Sequence, residues 1–310
     1  MSGAWAEVAT AADTCQRWNR QATSWRTPAD GGFDPRRYRV VDLAEPPARA
    51  FVTTHHYASS WPAAVARYGL LEADRLVGVA VYAVPMSAAV LTGPLPTLTP
   101  YRQSLELARL VLLDQVPANA ESWMLARTFT ALRRAGIHGV VTFADPLPRA
   151  DRHGQPVKRG HIGVIYQAGN AAYCGRSTPR SLTVLPDGSV LPARAAQKIR
   201  GGEPGAGGVQ RRLIDLGATP PTGQDPASWL AGALHQIGAR AVRHRGNHRY
   251  VFRLTRGIPL GMPAGPYPKA RDEVQPTPAS RHQPDVDPLT VDPDPLAAGG
   301  PPDQSRHCRR

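Results

Sequence analysis

Cysteine is scarce in this sequence: Cys15, Cys174 and Cys308 are three in 310 residues, odd in number and far apart. That excludes a disulfide framework and a Cys-x-x-Cys metal site. Any metal must therefore be held by His, Asp, Glu or Tyr. Long apolar runs are missing too. None approaches the roughly 18–20 residues a membrane-spanning helix needs, and the opening MSGAWAEVATAADTCQRW has no charged segment leading into an apolar one. The expectation is a soluble, cytoplasmic chain with no membrane partner. No Gly-rich dinucleotide fingerprint, Walker loop or G-x-S-x-G occurs, which removes the commonest cofactor and nucleophile readings.

Acidic residues are also in short supply: 37 Lys and Arg face 24 Asp and Glu, a formal charge of +13. The stretch from Pro263 to Arg310 holds six basic and seven acidic residues, a net of −1, so residues 1–262 carry +14. Residues 127–212 hold fourteen basic against four acidic side chains, and residues 238–256 hold six arginines and no acid. A biased genome explains the choice of Arg over Lys, but not the missing acids. Such a field attracts polyanions, and nucleic acid is the expected partner.

What is present is apolar patterning around a few polar residues. A helix followed by a Pro/Gly-containing linker is expected before residue 36. Tyr38 to Leu43 alternates as a half-buried strand, and Pro46-Pro47 open a helix running to about His55. Leu70-Leu71 and Leu76 to Val84 flank a polar turn as a hairpin, and Leu105 to Leu113 is a further strand. Asn119 is expected to cap a helix over 120–135, and Gly139 to Phe143 is a strand that delivers Asp145 at its tip. A second strand is expected to deliver His161 and Tyr166 and then open a short helix.

Further on, Leu182 to Leu185 and Val190-Leu191 flank Pro-Asp-Gly as a hairpin. Helices follow over 195–200, 209–216 and 227–237, with GGEPGAGG as a flexible turn, and Arg249 to Leu254 closes the body as a strand. The last 48 residues contain eleven of the 32 prolines, a composition that cannot bury enough surface to order itself. Strands and helices mixed with many hairpins argue for one α+β domain with a mostly antiparallel twisted sheet flanked by helices. The expected divisions are an N-terminal extension over 1–36, a catalytic domain over 37–262 and a disordered Pro-rich tail over 263–310.

Five segments carry a resemblance: HHY at 55–57, ELARLVL at 106–112, TFADP at 142–146, GHIGVIYQAGNAAYCG at 160–175 and HRYVFRL at 248–254. Together, in this order over roughly residues 45–256, they resemble the Mom family of phage DNA-modification proteins. The resemblance implies a fold related to the GCN5-type N-acyltransferases (GNAT). It implies conversion of adenine in double-stranded DNA to its N6-methylcarbamoyl form, which protects the DNA from restriction. It places the family's functional positions on His56, Tyr57, Arg109, Asp145 and Tyr166, with iron as the implied metal.

One segment departs from the acyltransferase pattern. Where a Gly-rich turn would bind pyrophosphate at a helix N-terminus, the chain reads Asp-Gln-Val-Pro-Ala-Asn-Ala-Glu. The sequence itself therefore lends no support to acyl-coenzyme A. The exocyclic adenine amine is a weak nucleophile, so Asp145 or His56 is expected either to take its proton or to hold a metal. Arg109 is expected to pair with Asp145 or a substrate carboxylate. Tyr166 would stack on a flipped base or donate its hydroxyl. Two other readings stand beside this one: a coenzyme-A-dependent N-acyltransferase acting on a small amine or protein, and a non-catalytic basic DNA-binding protein. A homodimer is left open.

Overall fold

A computed structural model describes residues 32–58, 60–158 and 160–269, together with the backbone of 18–19 and 22–23. The helix expected before residue 36 and most of the tail expected after 263 lie outside these residues. In chain order the elements are β1 (Trp18–Asn19), β2 (Ala22–Thr23), β3 (Tyr38–Asp42), α1 (Glu45–His55), β4 (Ala64–Glu72), β5 (Arg75–Ala83), α2 (Ala89–Thr92), β6 (Ser104–Leu112), α3 (Ala120–Arg134) and β7 (Gly139–Ala144). A hairpin of β8 (Arg149–Ala150) and β9 (Pro156–Lys158) follows, then α4 (Val164–Ala168) and β10 (Ala172–Arg176). The remaining elements are β11 (Arg180–Val184), β12 (Val190–Leu191), α5 (Ala193–Arg200), α6 (Ala206–Asp215), α7 (Pro226–Gln236), β13 (Arg240–His244) and β14 (His248–Arg253).

Seven strands form one sheet in the order β10-β14-β7-β6-β5-β4-β3. Every pairing in it is antiparallel except β6 with β7. The expected α+β class and mostly antiparallel sheet are thus present. Strand β5 is buried along all but its first residue, as a central strand covered on both faces must be. Helix α1 starts on prolines whose missing N–H groups cost nothing in a first turn, and it buries Ala48, Phe51, Val52 and His55, a single face at 3.6-residue spacing. On β7 and β14, Val140, Tyr250 and Phe252 belong to the main core, while the intervening Val141 and Val251 face a smaller cluster with Leu91, Leu95 and Ile258. Period-2 alternation thereby fills both faces of the sheet.

The parallel pairing is short, and that opening positions the site. Strands β6 and β7 are in register only from Ser104↔Gly139 to Leu107↔Thr142. Immediately beyond, β6 bulges: Val81 pairs with Arg109 and Tyr82 with Leu107, leaving Ala108 as the extra residue. A bulge bends its strand and increases its twist, so Arg109 on β6 and Asp145 just past β7 flank the point where the two strands cease to pair.

Residues 178–245 are an excursion between β10 and β14. They hold a three-stranded sheet, β12-β11-β13, and three helices around their own core of Leu185, Leu191, Ile199, Leu213, Trp229 and Leu230. The excursion leaves and returns at one paired rung: Ser177 N–H donates to Asn247 O at 2.8 Å, and Asn247 N–H to Ser177 Oγ at 2.9 Å. Of its strands, β13 is not among those expected from the sequence.

Three other expectations need correction. The stretch GHIGVIY is not a strand: Gly160 and Gly163 sit at φ of +73° and +79°, which ends extended structure. His161 therefore lies in a loop, Tyr166 lies on α4, and the strand comes only after Asn170. Asn119 does precede α3, but in a left-handed conformation with no side-chain capping bond. The packed body also continues past 262. Tyr267 Oη donates to Ala171 O at 2.9 Å, and Gly265 N–H to Tyr173 O at 2.9 Å. Among the described residues no helix is long and apolar enough to cross a membrane.

Candidate functional site

Asp145 sits where β7 ends, and two excursions from the sheet converge on its carboxylate. From the β8–β9 hairpin, the fully buried Lys158 ammonium lies 2.8 Å from Oδ2. Its other two protons go to Asp145 O at 2.8 Å and Leu147 O at 3.0 Å, so all three donors are used. From the 178–245 segment, His244 Nε2 lies 2.9 Å from Oδ1. Gly246 N–H donates to His244 Nδ1 at 2.9 Å, which places the imidazole proton on Nε2 and makes His244 a donor to Asp145. Leu147 N–H adds a third bond, to Oδ1 at 3.0 Å.

Burial alone would raise the Asp145 carboxyl. The His244 bond and the Lys158 charge outweigh it and hold the carboxyl well below the usual range. Burial lowers Lys158 to about 8, against the opposing pull of Asp145. At neutral pH Asp145 is anionic and Lys158 mostly cationic. A carboxylate held in this way keeps free acceptor capacity only on Oδ2.

The opposite wall comes from the end of α1. Arg109 donates through Nε to Ser60 O at 3.2 Å, through Nη2 to Ser60 Oγ at 2.9 Å, and through Nη1 to the bulged Ala108 O at 2.7 Å. It pairs with the loop that follows His56-Tyr57 and not with Asp145, the first of its two expected partners, because Lys158 and His244 already hold that carboxylate. The bulge removes the Ala108 carbonyl from the ladder, and Arg109 satisfies it.

His56 is 8% exposed and stacks on Tyr57 with ring centroids 4.2 Å apart, and its Nδ1 accepts from Ala58 N–H at 3.1 Å. Burial, then the Arg109, His161 and Lys158 charges, lower it to about 3. Burial raises Tyr57 above its ordinary value, so it remains a protonated phenol. The Lys158 ammonium lies 5.3 Å from the Tyr57 ring centroid, within cation–π range.

His161 stands out among these imidazoles. Its backbone N–H donates to Asp145 O at 2.9 Å, and its ring meets Tyr57 edge-on at 6.4 Å. No hydrogen bond to its ring nitrogens exists among the described residues. Burial lowers it to about 4, with Lys158 acting in the same direction. It is therefore a neutral imidazole with both nitrogens uncommitted. Tyr166 is placed differently. It is 7% exposed, and its ring packs on Tyr250 at 5.5 Å and Phe252 at 6.3 Å. It forms the floor behind the site, with no face open for a base to stack on.

Gly163 makes that floor possible. A Cβ at this position would come within 2.6 Å of Tyr250, 2.9 Å of Tyr166 and 3.1 Å of Ala144 at φ +79°. Gly163→Ala is expected to cost about 2–4 kcal/mol, a fall of roughly 4–16 °C in Tm for a body of this size. Thermal unfolding followed by circular dichroism checks it. An unchanged Tm would refute the packing described.

The residues do not fit the expected metal. Among the described residues no three His, Cys, Asp or Glu side chains stand together as a metal group. The Asp145 oxygens already face an ammonium, an imidazole N–H and an amide N–H. The α3 N-terminus does not fit a pyrophosphate either. Its first turn contains the buried carboxylate side chain of Glu121, so an acid already complements that helix end. A groove of about 790 Å³ between β3 and α3, lined by Tyr38, Val40, Tyr68, Trp123 and Arg127 among others, holds none of these site groups.

The structure thus brings together His56, Tyr57, Arg109 and Asp145, sets Tyr166 behind them, and adds Lys158, His161 and His244. His161 was noted in the sequence beside Tyr166. Lys158 and His244 were missed, although Lys158 is one of only three lysines in the chain and His244 precedes a glycine by two positions.

Comparisons with known proteins agree with the resemblance read from the motifs. The model of the Mom protein family matches residues 37–269. No curated protein matches the chain. Solved structures similar to it include a Bacillus subtilis acetyltransferase in complex with CoA, at 9% identity and TM-score 0.28, covering 70% of this chain and 99% of that one. Another is a tandem GNAT protein from the clavulanic acid biosynthesis pathway, at 11% identity and TM-score 0.29, covering 71% and 81%. A third is the GphF GNAT-like decarboxylase in complex with isobutyryl-CoA, at 15% identity and TM-score 0.28, covering 70% and 100%.

Proposed function

We propose, on the premise that this chain belongs to the Mom protein family, that it is a DNA-modifying transferase converting adenine in duplex DNA to N6-methylcarbamoyl-adenine. The observation that carries the reading is a carboxylate held anionic beside an uncommitted neutral imidazole, at the opening between two sheet strands, on a body charged +14 over residues 1–262. The adenine amine shares its lone pair with the ring. It becomes nucleophilic only as its proton is drawn away during attack on an activated carbonyl.

Asp145 Oδ2 accepts a hydrogen bond from the amine and orients it. His161 takes the proton as the new N–C bond forms, and returns it to the donor's leaving group as the tetrahedral intermediate collapses and the bond from the carbonyl carbon to that group breaks. Tyr57, protonated, donates to the developing oxyanion. Arg109 positions the loop carrying His56 and Tyr57. An amine inside a stacked duplex is out of reach of such a pocket, so the base is flipped out. The donor of the methylcarbamoyl group has no cradle at the α3 N-terminus, and no step depends on a metal.

Mass spectrometry of nucleosides from plasmid DNA of cells expressing the chain tests the reading. A modified deoxyadenosine is expected. Its yield should fall by about 10²-fold or more in Asp145→Asn and in His161→Gln. Unmodified adenine throughout, in every growth condition, would sink it.

A further inference from the structure

The 178–245 segment carries nine basic and four acidic residues, a net of +5. Its acids are largely spoken for. Asp187 pairs with Arg212, Glu203 with Arg194, and Asp225 caps α7 through Ser228. Arg180, Arg200, Arg211, Arg240, Arg243 and Arg245 are exposed, and none has an acidic partner among the described residues. Three of these surround the rung that reaches the site: Arg180 lies directly opposite His244 in the β11–β13 register, and Arg243 and Arg245 are its chain neighbours.

Successive side chains of a strand point to opposite faces. With His244 turned inward onto Asp145, its cross-strand partner Arg180 shares that face, Arg243 takes the other, and Arg245 follows the end of the strand, so the three ring the end of the β11–β13 ladder. The strand β13 is a sheet edge, and edge strands carry a charge to prevent unwanted pairing. One arginine would do that. A cluster without any acid exceeds the need, and it borders His244, whose Nε2 lies 2.9 Å from Asp145 Oδ1.

We propose that the 178–245 segment is the platform on which duplex DNA docks through its phosphates, with Arg180, Arg243 and Arg245 seating the backbone at the end of the β11–β13 ladder that carries His244. The inference rests on the reading of the chain as a DNA-modifying enzyme and adds the surface that presents the substrate. Phosphate contacts position a duplex and carry no sequence information directly. The salt dependence of binding reports how many phosphates it holds.

The test uses the full chain and a fluorescent DNA duplex, with affinity measured by anisotropy across 50–200 mM salt. Two triple variants remove equal charge: Arg180→Ala, Arg243→Ala, Arg245→Ala on the segment, and Arg102→Ala, Arg133→Ala, Arg134→Ala on the sheet body, all six being exposed. The segment variant is expected to bind at least about tenfold more weakly, with a salt slope shallower by roughly 2–3. The body variant should shift far less, and both should melt like the parent. Equal losses in both variants, or none in either, while the parent binds, would overturn the platform and leave the enzyme reading intact. A parent chain that does not bind duplex DNA overturns both. Tighter binding of an RNA duplex overturns the assignment to DNA.

Discussion

Between pH 6.5 and pH 4 the protein is expected to lose stability steeply. His56 is buried, His161 half-buried, and both are neutral, lowered from 6.5 to about 3 and about 4. An unfolded chain takes up those two protons near pH 6.5, and the folded chain does not. The unfolded state therefore binds more protons throughout the window, so stability falls as pH falls, by up to about 1.4 kcal/mol per pH unit for each group. On the order of 5 kcal/mol is lost by pH 4, a large part of a typical total of roughly 5–15.

Asp145 acts outside this window. Its folded value is depressed, so its contribution is complete above the unfolded carboxylate range and is lost only below about pH 4. Lys158 acts on the alkaline side, adding stability as pH rises from about 8 to 10.5. Urea unfolding followed by tryptophan fluorescence at intervals from pH 7.5 to 4 measures the slope. His161→Gln should roughly halve it. A free energy flat over this range would show that neither imidazole is buried neutral.

Lys158→Met is expected to be the most damaging single substitution at the site, costing about 3–5 kcal/mol at neutral pH. It leaves an anionic Asp145 with its main counter-charge gone, together with two backbone carbonyls, Asp145 O and Leu147 O, that lose their donor. Adding Asp145→Asn to the same chain should recover part of the loss, because the buried charge disappears with its partner. Chemical denaturation of the two single variants and the double completes a cycle, and the coupling energy is its readout. A coupling near zero would mean that the pair contributes nothing beyond its separate parts.

Much of the sheet was legible in the sequence for a simple reason: β5 after its first residue is an unbroken apolar run, β7 is apolar but for Thr142, and α1 shows one apolar face after two prolines. Asp145 was legible as a polar residue at the tip of such a run. The GHIGVIY segment misled because its alternation is strand-like, while what breaks it is the backbone at Gly160 and Gly163, and positive φ leaves no mark in an apolar pattern. Lys158 and His244 were invisible for a different reason. They lie 13 and 99 positions from Asp145, each on its own excursion, and meet only through contacts that hold the excursions together: Arg149 to Gly188 O at 2.9 Å and Arg152 N–H to Pro186 O at 2.7 Å. Arg109 was rightly singled out as needing a partner, but the partner was a bulged carbonyl and a neighbouring loop.

The single rung at Ser177 and Asn247 has a consequence for how this chain can change. Topologically β10 and β14 are a hairpin whose loop happens to hold a small folded body. Closing that hairpin with a short turn would leave the seven-stranded sheet with every strand and register it has now. The same shortening would strip Asp145 of its imidazole donor and remove the exposed arginines, so the chain could lose its chemistry while keeping its architecture.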